Sequence, residues 1–296
     1  MTLPVELAPL NAGSTVALVT DSTAYLPIEL ARTSGITVVP VEVVIGGQPY
    51  DEGTEVSPGE VAQALRDFTP VTTSRISPQR MSQVYRELAE AGATEIVSVH
   101  LSSSLSGTYH SAVLAADEAP VPVHTIDSRT IGMALGFPML HAADAASAGA
   151  SATDIAAIAA KACAASSTYF YVDTLEYLRR GGRINSRSAM IGSALAVKPI
   201  LSIVGGEVVS LERVRTASRA LARLQELAVA AAGSAPVDIA VGHLESGERA
   251  TDLAVELAGR LDVGRVIVHE VGAVVGAHVG PGMVSIAVVP REVAAH

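Results

Sequence analysis

Short apolar, β-branched runs alternate along this chain with longer stretches of helical spacing. Thr15-Val16-Ala17-Leu18-Val19-Thr20 reads as a strand that ends in Asp21-Ser22-Thr23, and Pro27 then opens a helical pattern. A second strand is predicted over residues 36–45, turning at Gly46-Gly47. Ser57-Pro58-Gly59-Glu60 has the spacing of a capping box and predicts a helix through residue 68. Thr72-Thr73-Ser74 reads as a polar loop, and Ser77-Pro78 starts a helix that ends near Gly92. A buried strand follows over residues 95–99, then the hydroxyl-rich stretch His100-Leu101-Ser102-Ser103-Ser104-Leu105-Ser106-Gly107-Thr108, then a helix over residues 109–116. The strand at 123–126 ends, like the first, in Asp-Ser, here Asp127-Ser128. Helices over 131–148 and, after the Ser151-x-x-Asp154 box, over 152–165 complete this half.

Beyond residue 167 the pattern changes. A strand at 168–172 leads to a short helix, 174–180, that stops at Gly181-Gly182. A helix at 188–195 is expected next, followed by a hairpin of strands 199–204 and 207–214 joined by Gly205-Gly206. Helices at 218–232 and 251–261 then alternate with strands at 237–243, 266–270 and 284–289. The predicted class is α/β in two domains. The first, residues 13–166, is a mostly parallel, Rossmann-like sheet with flanking helices; the second, residues 167–296, is an α+β unit with a mixed sheet. Ligands of parallel sheets bind beyond the carboxyl ends of the strands, which would put Asp21, Ser22, the serine run, Asp127 and Ser128 on one rim.

Composition narrows the function classes. Charged residues are only 17% of the 296 and hydrophobic ones 49%, so much of the sequence must be interior or lining. A net charge of −10, 3% aromatics and no Trp argue against a nucleic-acid partner. Cys163 lies in an Ala-rich helical stretch as a small core residue, and one cysteine suits a reducing compartment. The first residues have neither a basic region nor a long apolar run, so the expected location is cytoplasmic. No spacing of His, Cys, Asp or Glu suggests a metal, and no Gly-x-Gly-x-x-Gly or Walker lysine suggests a nucleotide; no cofactor is expected.

The serine run carries the chemistry. Between a strand end and a helix start, free backbone N–H groups and the helix dipole favour an anion, and hydroxyls add donors without adding charge. A serine hydrolase or acyltransferase is one tenant of such a turn, although Gly-x-Ser-x-Gly is missing. Arg179, Arg180, Arg183, Arg187 and Lys198 form a local basic patch, either neutralising a helix end or docking a partner. His278, expected in a loop before Gly280-Pro281-Gly282, would strengthen an anion site if it pointed at a carboxylate.

Taken in order, these stretches resemble the DegV family of bacterial fatty-acid-binding proteins. The resemblance is carried by Val19-Thr20-Asp21-Ser22-Thr23, Thr73-Ser74, Ser102-Ser103-Ser104-Leu105-Ser106-Gly107-Thr108-Tyr109 and Asp127-Ser128. In the second half it rests on Asp173-Thr174-Leu175-Glu176-Tyr177-Leu178-Arg179-Arg180-Gly181-Gly182-Arg183-Ile184, Lys198-Pro199-Ile200-Leu201 and Gly280-Pro281-Gly282. It spans about residues 16 to 289 and departs at Arg75-Ile76, where the family usually has Gln-Pro. The resemblance implies a long-chain fatty acid held between two domains, with Thr73, Ser74, Ser103, Ser104, Ser106 and Gly107 around the carboxylate and Arg215 and His278 as accessory contacts. It also implies that the protein is not itself a catalyst. A separate ATP-dependent fatty acid kinase would make the acyl phosphate, a step of phospholipid metabolism, and transient membrane contact would load the lipid. A lipid-sensing adaptor is the remaining alternative.

Overall fold

The computed structural model describes residues 5–184 and 197–291; the expected helix at 188–195 and Arg187 lie outside the described residues. The first sheet runs in the order β2-β1-β6-β7 and is parallel throughout, from β1 (Val16–Asp21), β2 (Ile36–Val39), β6 (Glu95–His100) and β7 (Val123–Asp127). All six residues of β1 are buried, as a strand covered on both faces must be. Its two faces carry separate cores. One packs β1 and β6 against α3 (Pro78–Glu90) and α4 (Thr108–Ala116), and the other packs the sheet against α5 (Met133–Ser147) and α6 (Ala152–Ala165).

The second sheet has six strands in the order β10-β9-β8-β13-β11-β12. They are β8 (Ser167–Tyr171), β9 (Lys198–Val204), β10 (Glu207–Val214), β11 (Val237–His243), β12 (Val263–Glu270) and β13 (Val284–Pro290), with only the β11-β12 pair parallel. Side chains alternate between its faces with period two. Ile239, Val241, Ile286 and Val288 pack under α8 (Ala217–Ala232) and α9 (Gly247–Ala258), whereas Ala240, Ala287 and Val289 join the core of α5 and α6. The pair α5 and α6 therefore lies between the two sheets. The α/β class with a parallel first sheet and a mixed second sheet is as the sequence predicted.

Three local expectations are corrected. The single strand predicted over 36–45 is two strands, because Pro40 has no N–H to continue a ladder; β2 stays in the parallel sheet and β3 (Glu42–Ile45) leaves it. The polar stretch Thr72-Thr73-Ser74 is not a loop but part of β5 (Val71–Ser74). It pairs with β3, which also pairs with β4 (Gln48–Asp51), in a three-stranded antiparallel sheet that the sequence pattern did not suggest. Finally, His278 is on a helix, α10 (Ala273–Val279), built from small and β-branched residues that pack tightly instead of showing a helical stripe.

Both capping boxes function as read. Ser57 accepts from the Glu60 amide and Ser151 from the Asp154 amide, each closing a helix start. The buried carboxylate of Asp21 is the stronger constraint. It accepts from the Thr23 amide and hydroxyl, from the Leu101 amide at 2.9 Å and from His100 Nδ1 at 3.1 Å, tying the end of β1 to the end of β6. Asp21→Ala would strand several buried donors at about 1–3 kcal/mol each. A loss of roughly 3 kcal/mol or more is expected in urea unfolding, with a loss under about 1 kcal/mol contradicting this role.

Candidate functional site

Between the serine turn, α10 and the second sheet lies a cavity of about 430 Å³. Its walls are mainly apolar, with Leu101, Leu105, Ile131, Phe170, Leu178 and Met283 among them. One end gathers polar groups from three elements: Thr73 and Ser74 from β5, Ser106 and Gly107 from the serine turn, and His278 from α10.

Each is held by its own segment. Thr73 is fixed by pairing with Val43, and its Oγ1 lies 2.9 Å from His278 Nε2. Ser106 Oγ lies 3.0 Å from Thr108 Oγ1 and accepts from the Thr108 amide at 3.3 Å, so it sits over the first turn of α4. Gly107 is the residue before that helix, leaving open N–H groups there. His278 packs against Gly181, where a Cβ would stand 2.1 Å from its Nδ1, and Gly280 is equally crowded by the Tyr177 ring at 2.3 Å. Both glycine motifs thus allow close approach, Gly181 to His278 and Gly280 to Tyr177.

Burial pushes the His278 imidazole down to about 4, with the nearby Arg183 guanidinium acting in the same direction. The ring by itself is therefore neutral at pH 7. Its Nδ1 is buried without a partner, which suits an unprotonated nitrogen better than an N–H. On that tautomer Nε2–H donates to Thr73 Oγ1, leaving the threonine hydrogen directed elsewhere.

The remaining predicted residues are not on the cavity wall. Ser103 donates its amide and hydroxyl to the Asp127 carboxylate, and Ser104 is exposed. Asp127 also accepts from the Arg129 amide, while the Ser128 hydroxyl donates to the Thr130 carbonyl. Ser22 donates to Glu52 and accepts from the Val41 amide. Asp21 is buried beneath the turn. Arg215 and Arg213 are both exposed and outside the lining. These rim residues shape the turns rather than face the cavity.

Two arginines other than Arg215, Arg75 and Arg183, are in the lining. Both line the cavity, Arg183 donating from Nε to the Leu105 carbonyl at 3.1 Å. Sequence reading put Arg183 in a surface patch, and only the Gly181-Gly182 turn before it hinted otherwise. Tyr25, Thr168, Ser285 and His269 also line the wall and were missed, since nothing local marks them. Behind Tyr25 lies Glu52, which accepts from Ser22 and the Val274 amide and is raised to about 7 by burial.

The comparisons with known proteins fit this geometry. The profile described as "Uncharacterised protein, DegV family" matches residues 15–291. The chain belongs to the DegV family. A DegV domain-containing protein of Streptomyces coelicolor is 54% identical over 277 residues, covering 93% of this chain and 99% of that one. Among solved structures, a DegV family protein from Thermus thermophilus, described by its fatty acid binding, has a TM-score of 0.88 at 34% identity, covering 93% of this chain and 99% of its own. DegV from Bacillus subtilis, described as a fatty acid binding protein, has a TM-score of 0.86 at 33% identity, covering 94% and 100%. No helix among the described residues of this DegV-family chain is long and apolar enough to cross a membrane. Cys163 is buried and its thiol is pushed up to about 12, as befits a core residue.

The buried groups give the fold a defined pH response. His269 is also held down to about 4 by burial. Unfolded imidazoles take up protons below about pH 6.5, so stability from neutral His269 and His278 is full above that pH and is lost as pH falls toward 4. Glu52 has the opposite sign: protonated in the folded state up to about pH 7 and released near 4.5 when unfolded, its contribution is lost as pH rises between those values. Between pH 5 and 6.5, Glu52→Gln should raise the slope of stability against pH by one proton, roughly 1.4 kcal/mol per pH unit. Urea unfolding at a series of pH values measures it, and parallel slopes for the two proteins would contradict the assignment.

Proposed function

We propose that this protein binds one long-chain fatty acid, with the carboxylate at the Thr73, Ser106 and His278 end of the cavity and the tail along its apolar walls. The observation that carries this reading is a mainly apolar cavity whose lining includes the hydrogen-bonded pair Thr73 and His278 together with Ser106 and Gly107. Burying a tail contributes roughly 0.8 kcal/mol per CH₂, so the chain supplies most of the gross affinity and the headgroup fixes orientation. Its size falls within the range of small-ligand sites. The fatty-acid-binding relatives from Thermus thermophilus and Bacillus subtilis support the same ligand class.

The headgroup is held by neutral donors. His278 Nε2–H donates to Thr73 Oγ1, and the Thr73 and Ser106 hydroxyls donate to the carboxylate. Arg75 and Arg183 add positive field from the wall without clamping the oxygens. Ser74 is a further contact, while Ser103 and Ser104 shape the turn. A carboxylate held this way stays available to a nucleotide-dependent kinase, so presentation to such a partner is part of the proposal. Residues 13–166 and 167–296 are the proposed domains, meeting between α6 and β8.

The hydrolase alternative is less favoured. Among the turn hydroxyls, Ser102 donates to the Gly206 carbonyl, Ser103 to Asp127, and Ser106 pairs with Thr108, so none is activated by a histidine. Thr73→Ala and Ser106→Ala are each expected to weaken palmitate binding by about ten- to a hundredfold, the worth of a hydrogen bond to a charged group. Competition against a fluorescent fatty acid, with circular dichroism to check folding, reads the result; unchanged affinity in both variants removes the headgroup assignment. Acyl phosphate formed by a fatty acid kinase with ATP only when this protein is added tests presentation. Equal yield without it counts against that role.

A further inference from the structure

The cavity carries a second polar patch, set into the sheet that forms its floor. In that sheet, register places Phe170 opposite Ser285, Ser285 opposite Gly242 and Gly242 opposite His269, in one row across four strands. The neighbouring row on the same face holds Thr168, Ala287 and Ala240. The two alanines leave a hollow on this face, and at its edge Ser285 and His269 close over Gly242. A Cβ at Gly242 would lie 2.6 Å from Ser285 Oγ and 3.0 Å from His269 Nε2. Thr168, Ser285 and His269 all line the cavity.

Bonding within this patch is incomplete. Thr168 is 8% exposed, and its Oγ1 is buried with no hydrogen-bond partner. The Ser285 hydroxyl reaches the Gly242 carbonyl only at 3.4 Å. His269 Nδ1 lies 3.2 Å from the Glu270 carbonyl, which can only accept, so the ring proton sits on Nδ1 and Nε2 is a bare acceptor beside the hollow. Burial keeps that ring neutral. A wall built solely for an alkyl chain has no use for two under-bonded hydroxyls and a free imidazole nitrogen, because buried polar groups are normally paired.

We propose that this patch recognises a hydroxyl on the acyl chain, so that the protein selects a hydroxylated long-chain fatty acid over the unsubstituted one. The inference rests on the fatty-acid reading above and specifies its substrate. A chain hydroxyl over Gly242 donates to His269 Nε2 and accepts from the Ser285 hydroxyl, which face one another across that glycine. A keto oxygen accepts only, and a methylene does neither.

The test compares stearate with monohydroxystearates substituted at single positions along the chain, by competition against a fluorescent fatty acid. One positional isomer is expected to bind about tenfold or more tighter than stearate, as sites built around a substrate hydroxyl discriminate against its absence. Within each of Ser285→Ala and His269→Phe, the ratio of the two affinities should fall toward one; Ser285→Ala, the smaller change, keeps the test available if His269→Phe does not fold. Stearate bound with no isomer preferred by more than about twofold overturns the patch while leaving the fatty-acid reading intact. A preference that survives all folded variants also overturns it. Failure of stearate and every isomer to bind overturns both readings.

Discussion

One buried carboxylate holds the working end of this molecule together. Asp21 leaves the end of β1 and collects donors from the turn after it and from the first residue of the serine stretch. It thereby sets where Tyr25 and Leu101 meet the cavity. The same group receives His100, whose other nitrogen meets Ser98, which in turn accepts from Tyr85. Removing water from a carboxylate is costly unless its oxygens are fully used, so such a group fixes its surroundings more tightly than apolar packing would.

Ser98, His100 and Asp21 are connected in the order of a catalytic triad, yet they do not form an active site. All three are fully buried, Ser98 Oγ is engaged by the Tyr85 hydroxyl, and none lines the cavity. The arrangement is a structural strut inside the parallel sheet. Ser106, the serine of the turn that lines the cavity, pairs with Thr108, whereas His278 pairs with Thr73.

The cavity lies where the second sheet meets the serine turn around small residues. Ala240 and Ala287 face α5 and α6 from the sheet floor, and the Gly205-Gly206 turn, at φ 62° and 92°, brings the β9-β10 hairpin against the serine turn. There Ser102 donates to the Gly206 carbonyl at 2.7 Å and Arg129 donates to the Gly205 carbonyl at 2.8 Å. Backbone carbonyls of one half are thus gripped by side chains of the other, which closes the structure around an apolar space without filling it.

The sequence by itself determined the elements whose signals are local. The strand ends at Asp21 and Asp127, the capping boxes at Ser57 and Ser151, the glycine hairpin and the parallel-then-mixed order of sheets all follow from period, caps and turns within a few residues. It also marked Thr73, Ser106, Gly107 and His278 as polar residues at special places. Only the tertiary structure decided which of these face one space. Ser103 and Ser106 are three residues apart in one turn, yet the first bonds Asp127 while the second lines the cavity, a choice made by the packing of β7 and not by their chemistry. Arg183 lines the cavity and Arg215 does not, and Ser285 and His269 meet across Gly242 from separate strands. Sheet register brings these two together, and no local pattern encodes that register.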